Sequence, residues 1–224
     1  MEISKLGEFG LIDRLTKNIK LTNKTTIKGV GDDGAILHYP DTEVLVTSDM
    51  LMEGIHFDLT YMDMYHLGYK AAMVNMSDIF AMNGTPRQLI VNIALSKRFT
   101  VEDLEEFYRG LQQACDKWNV DIVGGDTSAS YTGLAISITC IGDARKEEIV
   151  CRNGAKETDL ICVSGDLGAA YLGLQLLERE KTVYYQQVED IQKRLRKAQA
   201  DGNAQHIAAL NDELSRMKDF QPDF

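Results

Sequence analysis

No stretch of about 18 apolar residues occurs in the 224-residue chain, and its opening MEISKLGEFG holds no basic patch followed by an apolar core. Neither a membrane span nor a secretory leader is expected, and the expected compartment is the cytoplasm. Positive charge is in short supply: 24 Lys and Arg stand against 34 Asp and Glu, a formal net charge of −10. Such a surface repels nucleic-acid backbones and anionic lipids, so neither is an expected partner, and phosphate ligands would need cations in between. Cys115, Cys140, Cys151 and Cys162 form no CxxC pair and mostly fall in apolar segments, which reads as buried free thiols. The four histidines are not paired with cysteine at ligand spacing, which disfavours zinc.

What is present is a globular composition, 44% hydrophobic, in which strands and helices interleave. Phe9, Ile12, Leu15 and Ile19 recur at helical spacing, followed by a loop, GVGDDGA. AILHY and EVLVTSD read as strands around the turn Pro40-Asp41, with Thr47-Ser48-Asp49 where the second leaves the sheet. Met64 to Met82 is helical, with Leu67, Ala71, Val74 and Ile79 inward, which places Asp78 in the last turn against the helix dipole. QLIVNIALS is a strand. Thr100 and Asp103 resemble a capping box opening a helix striped by Leu104, Phe107, Leu111, Cys115 and Trp118. VDIVGGDTS runs as a short strand into Gly124-Gly125-Asp126, and LAISITCIGDA alternates as a further strand. Past Asp143 the chain becomes charged, and a second domain is expected from there. Residues 159–164 read as a strand, followed by a glycine turn and a helix through Glu178. Residues 183–218 read as a helical hairpin about Asp201-Gly202-Asn203. The expected fold is α/β with domains at 1–145 and 146–224, the second incomplete because one strand, one helix and a hairpin cannot close a core.

The chemistry lies in acidic loops: Asp32-Asp33 after a glycine, Asp49 at the expected strand end, Asp78 late in a helix and Asp126 after two glycines. Singly, each is more often a turn residue than a ligand. Converging on one cleft, they suit magnesium, which takes oxygen ligands and is held by one or two carboxylates plus substrate phosphates. Thr47 and Ser48 could add neutral oxygens. The glycines of GVGDDG and VGGDT let a phosphate approach the backbone. No EF-hand loop, no GxxxxGK[ST] loop and no protein-kinase set is present, so any ATP site uses another scaffold.

The strings EFGLIDRL, GVGDDGAIL, TSDMLMEGIHF, NMSDIFAMNGTP, IVGGDT and CRNGAKETDLICVSG resemble, in order and spacing, the thiamine-monophosphate kinases, relatives of aminoimidazole ribonucleotide synthetase. The resemblance covers roughly residues 6–178. It implies Mg2+-dependent transfer of the ATP γ-phosphoryl group to thiamine monophosphate, and an N-terminal mixed sheet that pairs with that of a second subunit in a homodimer. Carried onto this chain, it makes Asp33, Thr47, Ser48, Asp49, Asp78 and Asp126 magnesium ligands, with Asp32 beside them. Gly125, Asp126, Arg152 and Tyr108 fall on the nucleotide side, and His56 meets the thiamine phosphate. Outside the resemblance, His56 is a structural histidine, Arg152 a surface charge and Tyr108 a packing residue.

Similar kinases continue further and supply LSDGL-type and GGEDYEL-type motifs that this sequence does not contain, so the expectation is a chain lacking part of the active site. Purine or selenophosphate synthesis by the same superfamily and a non-catalytic dimerising module remain alternatives. Selenophosphate synthetases carry a reactive N-terminal Cys or selenocysteine, whereas the first cysteine here is Cys115.

Overall fold

The computed structural model describes residues 7–30 and 35–217, which fall into two compact units, Met1–Asp159 and Leu160–Phe224. In the first unit the elements run α1 (Gly7–Thr16), β1 (Thr26–Lys28), β2 (Ile36–Leu37), β3 (Glu43–Met52), α2 (Met64–Ala81), β4 (Thr85–Leu95), α3 (Val101–Trp118), β5 (Asp121–Ala129) and β6 (Ala135–Ala144). The class is mixed α/β. The main sheet has the order β3-β6-β4-β5, antiparallel except for the parallel pair β4 and β5. That parallel pair is joined through α3, the connection that parallel strands require.

Helices α2 and α3 cover one face of the sheet, because alternate strand residues (Leu89, Val91 and Ile93 on β4; Ile136, Ile138 and Cys140 on β6) bury against Leu67, Ala71, Met76 and Ile79 of α2 and Leu104, Phe107 and Leu111 of α3. The two helices touch through glycine. A Cβ on Gly68 would lie 1.9 Å from the Phe107 carbonyl oxygen, and one on Gly110 would lie 1.8 Å from that of Tyr65. Leu11 and Leu15 seat α1 on this layer, and the Arg14 guanidinium forks onto Glu105 of α3 at 2.6 and 3.0 Å. The side chain of Phe9 lies outside the described residues.

The capping box at Thr100 forms in both directions: the Asp103 amide donates to the threonine hydroxyl, and the Thr100 amide donates to the Asp103 carboxylate. Thr100→Ala is expected to lower the urea-unfolding free energy of this unit by about 1 kcal/mol, with the m-value unchanged.

The other sheet face is left open by the described residues of this unit. It carries Val44, Val46, Ser48, Met50 and Met52 from β3, opposite Ser137, Thr139 and Ile141 of β6, and Val46 and Met50 are 64% and 60% exposed.

Several sequence expectations are corrected. Thr47-Ser48-Asp49 lies in the middle of β3, which continues to Met52, and Gly124-Gly125-Asp126 lies within β5. Polar residues are tolerated there because both strands are sheet edges with one open side. Residues 159–164 form no strand, and α4 (Ala169–Ala200) runs unbroken where a helix and a separate hairpin arm were expected. Residues 178–183, between the expected end of the first helix and the expected hairpin, are helical throughout. Helix α5 (Ala204–Arg216) returns along α4, packing Ile207, Leu210 and Leu214 on Ile191, Leu195 and Ala198. Trp118 is partly exposed and tilts on Phe80 at 4.8 Å between ring centroids.

Of the four thiols, Cys115 and Cys140 are buried as expected, whereas Cys151 and Cys162 are exposed. Burial pushes the Cys140 thiol up to about 12, and the nearby Asp78 charge adds to the rise. Burial raises Cys115 as well. Both thiols stay protonated in the folded state while the unfolded chain releases their protons near pH 9. The stability they contribute is therefore complete below that pH and is lost as pH climbs toward 12. Between pH 8 and pH 10 each is expected to cost about 1.4 kcal/mol. Thermal melts across that range check this, and Cys140→Ala should remove about half of the slope.

Candidate functional site

The polar middle of β3 meets α2. Residues 45, 47, 49 and 51 face the helix layer; Leu45 and Leu51 are buried, and Thr47 and Asp49 between them reach the rim of α2. The Thr47 hydroxyl donates to Asp78 Oδ2 at 2.7 Å. The Asp49 amide donates to Asn75 Oδ1 at 3.0 Å, and Asn75 Nδ2 donates to the Ala71 carbonyl at 3.0 Å. Asn75 is fully buried, so its amide is fixed by these two bonds and locks the middle of β3 to α2. Ser48 points to the other face, with its hydroxyl 3.1 Å from that of Thr139.

Beyond Met52 the chain turns tightly. The amides of Ile55 and His56 both donate to the Met52 carbonyl, and the Gly54 amide donates to that of Phe57. Gly54 supplies the left-handed φ of 78° that the turn needs. His56 is exposed, with its Nδ1 3.0 Å from the Met52 amide. Lys70 of α2 donates to the His56 carbonyl at 2.7 Å. Lys70, Val74 and Asp78 follow one another at i+4, so a single helix edge runs from the histidine turn to the carboxylates over about 12 Å.

Asp126 lies elsewhere in this chain. It pairs with Asn92, which pairs with Ser137, which in turn pairs with Met50, so it belongs to the bare face. It also sits on the edge opposite β3, three strand spacings or about 14 Å from it. Gly125 precedes it with φ 155°, and a Cβ there would lie 1.8 Å from the Val91 carbonyl oxygen, so β5 reaches β4 this closely only with glycine. The structure thus brings Thr47, Asp49 and Asp78 together and does not bring Asp126 to them within one chain. Asp32 and Asp33 lie outside the described residues. Arg152 is exposed after a short 3-10 turn. Tyr108 is half-buried on α3, where burial pushes its hydroxyl up to about 12, and it lines a groove of about 930 Å3 with Arg14, Lys17, Arg109 and Gln112.

Among the described residues, no three His, Cys, Asp or Glu side chains gather closely enough to hold a metal ion. Two carboxylates and a hydroxyl, all oxygen donors, do line the β3–α2 seam. That set fits magnesium, which needs few protein ligands when phosphates and waters complete its shell.

Three residues that carry this geometry escape the sequence reading: Asn75, Lys70 and Asp121. Asn75 could have been found, since it falls between Ala71 and Ile79 on the buried stripe where a polar side chain requires a reason. Asp121, at the start of the strand read in VDIVGGDTS, is fully buried. Its carboxylate accepts from the Thr22 amide at 2.7 Å, from the Thr22 hydroxyl at 3.0 Å and from the Asn23 amide at 3.1 Å, a structural clasp on the segment before β1.

Residues 31–144 match the family model described as AIR synthase related protein, N-terminal domain, and the chain belongs to that family. Its similarity is to thiamine-monophosphate kinases. It is 38% identical to that of Aquifex aeolicus over 184 residues, which cover 82% of this chain and 57% of the relative. The crystal structure of thiamine-monophosphate kinase from Stenotrophomonas maltophilia superposes with a TM-score of 0.68 at 31% identity, over 78% of this chain and 54% of that one. The structure of AaThiL complexed with AMPPCP and TMP superposes with a TM-score of 0.59 at 37% identity, over 80% and 55%. The chain therefore spans a little over half the length of these relatives.

Proposed function

We propose that this chain is the metal–nucleotide and dimerising part of a thiamine-monophosphate kinase, which moves the γ-phosphoryl group of ATP onto thiamine monophosphate and yields thiamine diphosphate and ADP. The observation that carries the reading is the β3–α2 seam, with Thr47, Asp49 and Asp78 at one end and His56 at the other. A reaction between two polyanions needs a site that accepts cations at one end and an anionic acceptor at the other. The bound nucleotide analogue and TMP of AaThiL support the assignment.

In this reading Thr47, Asp49 and Asp78 hold Mg2+, joined by Asp33 and its neighbour Asp32, while Ser48 offers its hydroxyl to metal or phosphate on the opposite face of the sheet. Bound Mg2+ neutralises and templates phosphate oxygens. Because the acceptor is already an anionic oxygen, no strong general base is required, and none is assigned. Gly125, Asp126, Arg152 and Tyr108 serve the nucleotide, and His56 the acceptor phosphate. The bare apolar sheet face and the two unpaired edges support a homodimer. If β3 of one copy lies along β5 of the other, the strand that carries Asp49 comes beside the strand that carries Asp126 of the partner subunit, with the two carboxylates on opposite faces of the joined sheet. Residues 1–145 form the binding and dimerising domain and 146–224 belong to a second. The compartment is the cytoplasm, in keeping with the described residues having no helix long and apolar enough to cross a membrane.

Transfer of labelled γ-phosphate from ATP to thiamine monophosphate by the complete gene product tests the proposal, with Asp49→Asn as control. Thiamine diphosphate is the expected product, and its absence rejects the assignment. A non-catalytic dimerising module is the second reading. It is distinguished by Mg-ATP binding without turnover.

A further inference from the structure

We propose that Lys70 is a positioning residue that holds His56 with its imidazole proton on Nε2, so that the ring offers a hydrogen-bond donor to the acceptor phosphate. The inference rests on the reading of His56 as the acceptor contact.

The tautomer follows from hydrogen-bond chemistry. A backbone amide can only donate, so the Met52 N–H, 3.0 Å from His56 Nδ1, requires that nitrogen to be the acceptor. The proton of the neutral ring then resides on Nε2, the nitrogen turned away from Met52. A phosphate oxygen accepts and never donates when fully ionised, so this tautomer is the one that binds it; the other would aim a lone pair at an anion.

The ring keeps this bond only while the peptide beneath it stays put. The turn hangs from β3 at Met52 and is pinned at its far side by Phe57, which is buried and bridged to Glu53. Between these anchors, the His56 carbonyl is tied to α2 by the Lys70 ammonium at 2.7 Å. A charged donor makes this tie stronger than a neutral one. Lys70 stands on the same helix edge as Asp78, so the element that positions the carboxylates also positions the histidine. Without the tie, His56 can rotate about its backbone, the ring leaves the Met52 amide, and both tautomers become populated.

The test is long-range 1H–15N correlation of the imidazole in the full chain, with the signal assigned by His56→Gln, alongside titration with thiamine monophosphate. The wild type is expected to show the asymmetric pattern of a single Nε2–H tautomer. In Lys70→Met the pattern should average toward a mixture and thiamine monophosphate should bind about tenfold more weakly. Lys70→Arg, which keeps the charged donor, should restore both. Should Lys70→Met disturb the fold, Lys70→Gln, a neutral donor, decides by an intermediate pattern. An averaged or Nδ1–H pattern in the wild type overturns the proposal. So does an unchanged pattern in Lys70→Met accompanied by weaker binding, since Lys70 would then act by charge alone. A wild type that keeps the Nε2–H signature yet binds no thiamine monophosphate upholds the positioning and counts against the acceptor assignment.

Discussion

Gly110→Ala is expected to destabilise the first unit by about 3 kcal/mol, although alanine is the better helix former. The added methyl would sit 1.8 Å from the Tyr65 carbonyl oxygen, an atom of α2's own backbone that no rotamer change can move. Overpacking commonly costs about 1–3 kcal/mol, and the top of that range applies where two helix axes must separate. Alanine returns about 1 kcal/mol of propensity, which does not offset the clash. Gly68→Ala strikes the same crossing from the other side, at 1.9 Å from the Phe107 carbonyl oxygen. Once either methyl has pushed the helices apart, the second costs less, so the double variant should fall short of the sum. Urea midpoints at constant m-value read both. Gly173, inside α4 with nothing within 4 Å of an added Cβ, provides the contrast. There alanine should stabilise the helix by roughly 0.5–1 kcal/mol.

Asp78→Asn is expected to weaken Mg-AMPPCP binding on the order of 100-fold while leaving the urea midpoint almost unchanged. The carboxylate is exposed and spends only one oxygen on the Thr47 hydroxyl, so removing its charge strips a metal ligand without opening the core. It also sits in the last turn of α2, where a negative charge opposes the helix dipole, so its loss should if anything stabilise the free protein by a few tenths of a kcal/mol. Thr47→Ala removes the hydroxyl that orients Asp78 and should cost about tenfold, the usual scale for a partner of a ligand. The opposite pairing of effects is expected at Asp121. Asp121→Asn loses charge-assisted bonds to two amides and a hydroxyl in the core, so stability should fall by about 2–3 kcal/mol. Calorimetric titration and denaturation on the same three variants separate a ligand from a clasp. Equal metal affinity in Asp78→Asn and wild type would remove the β3–α2 seam as the magnesium site.

The same contrast shows which parts of this molecule a reader of the sequence can find. Helix α3 is legible because two independent signals agree, the Thr100–Asp103 box at its start and the stripe from Leu104 to Cys115 along it. Strand β6 is legible because apolar and polar residues alternate from Ile136 to Thr139. β1 is not, since three residues, Thr26 to Lys28, are too few for any period to show. The middle of β3 misleads for a physical reason: on an edge strand at the rim of a helix layer, Thr47 and Asp49 stay polar without leaving the sheet. α4 misleads in the opposite way: the apolar spacing that starts at Val188 reads as a new hairpin arm, yet the helix runs through from Ala169. As for the site, composition and motif nominate the acidic residues, but which of them are neighbours depends on strand order. Asp49 and Asp126 are each next to a hydroxyl residue in similar strings, and only the arrangement β3-β6-β4-β5 places them on opposite borders. No local pattern encodes that order.

That arrangement has a consequence for how copies of the chain can accumulate. The border formed by β3 is long and dressed with valine and methionine, whereas the border formed by β5 offers glycine, a carboxylate and small side chains. Each rim carries a mid-strand carboxylate, Asp49 on β3 and Asp126 on β5, so the two differ chiefly in apolar bulk. A two-fold pair that laid each β3 on the other copy's β5 would use up both borders at once and leave neither for a third copy. Such a pairing, if formed, would favour a small closed ring over a filament.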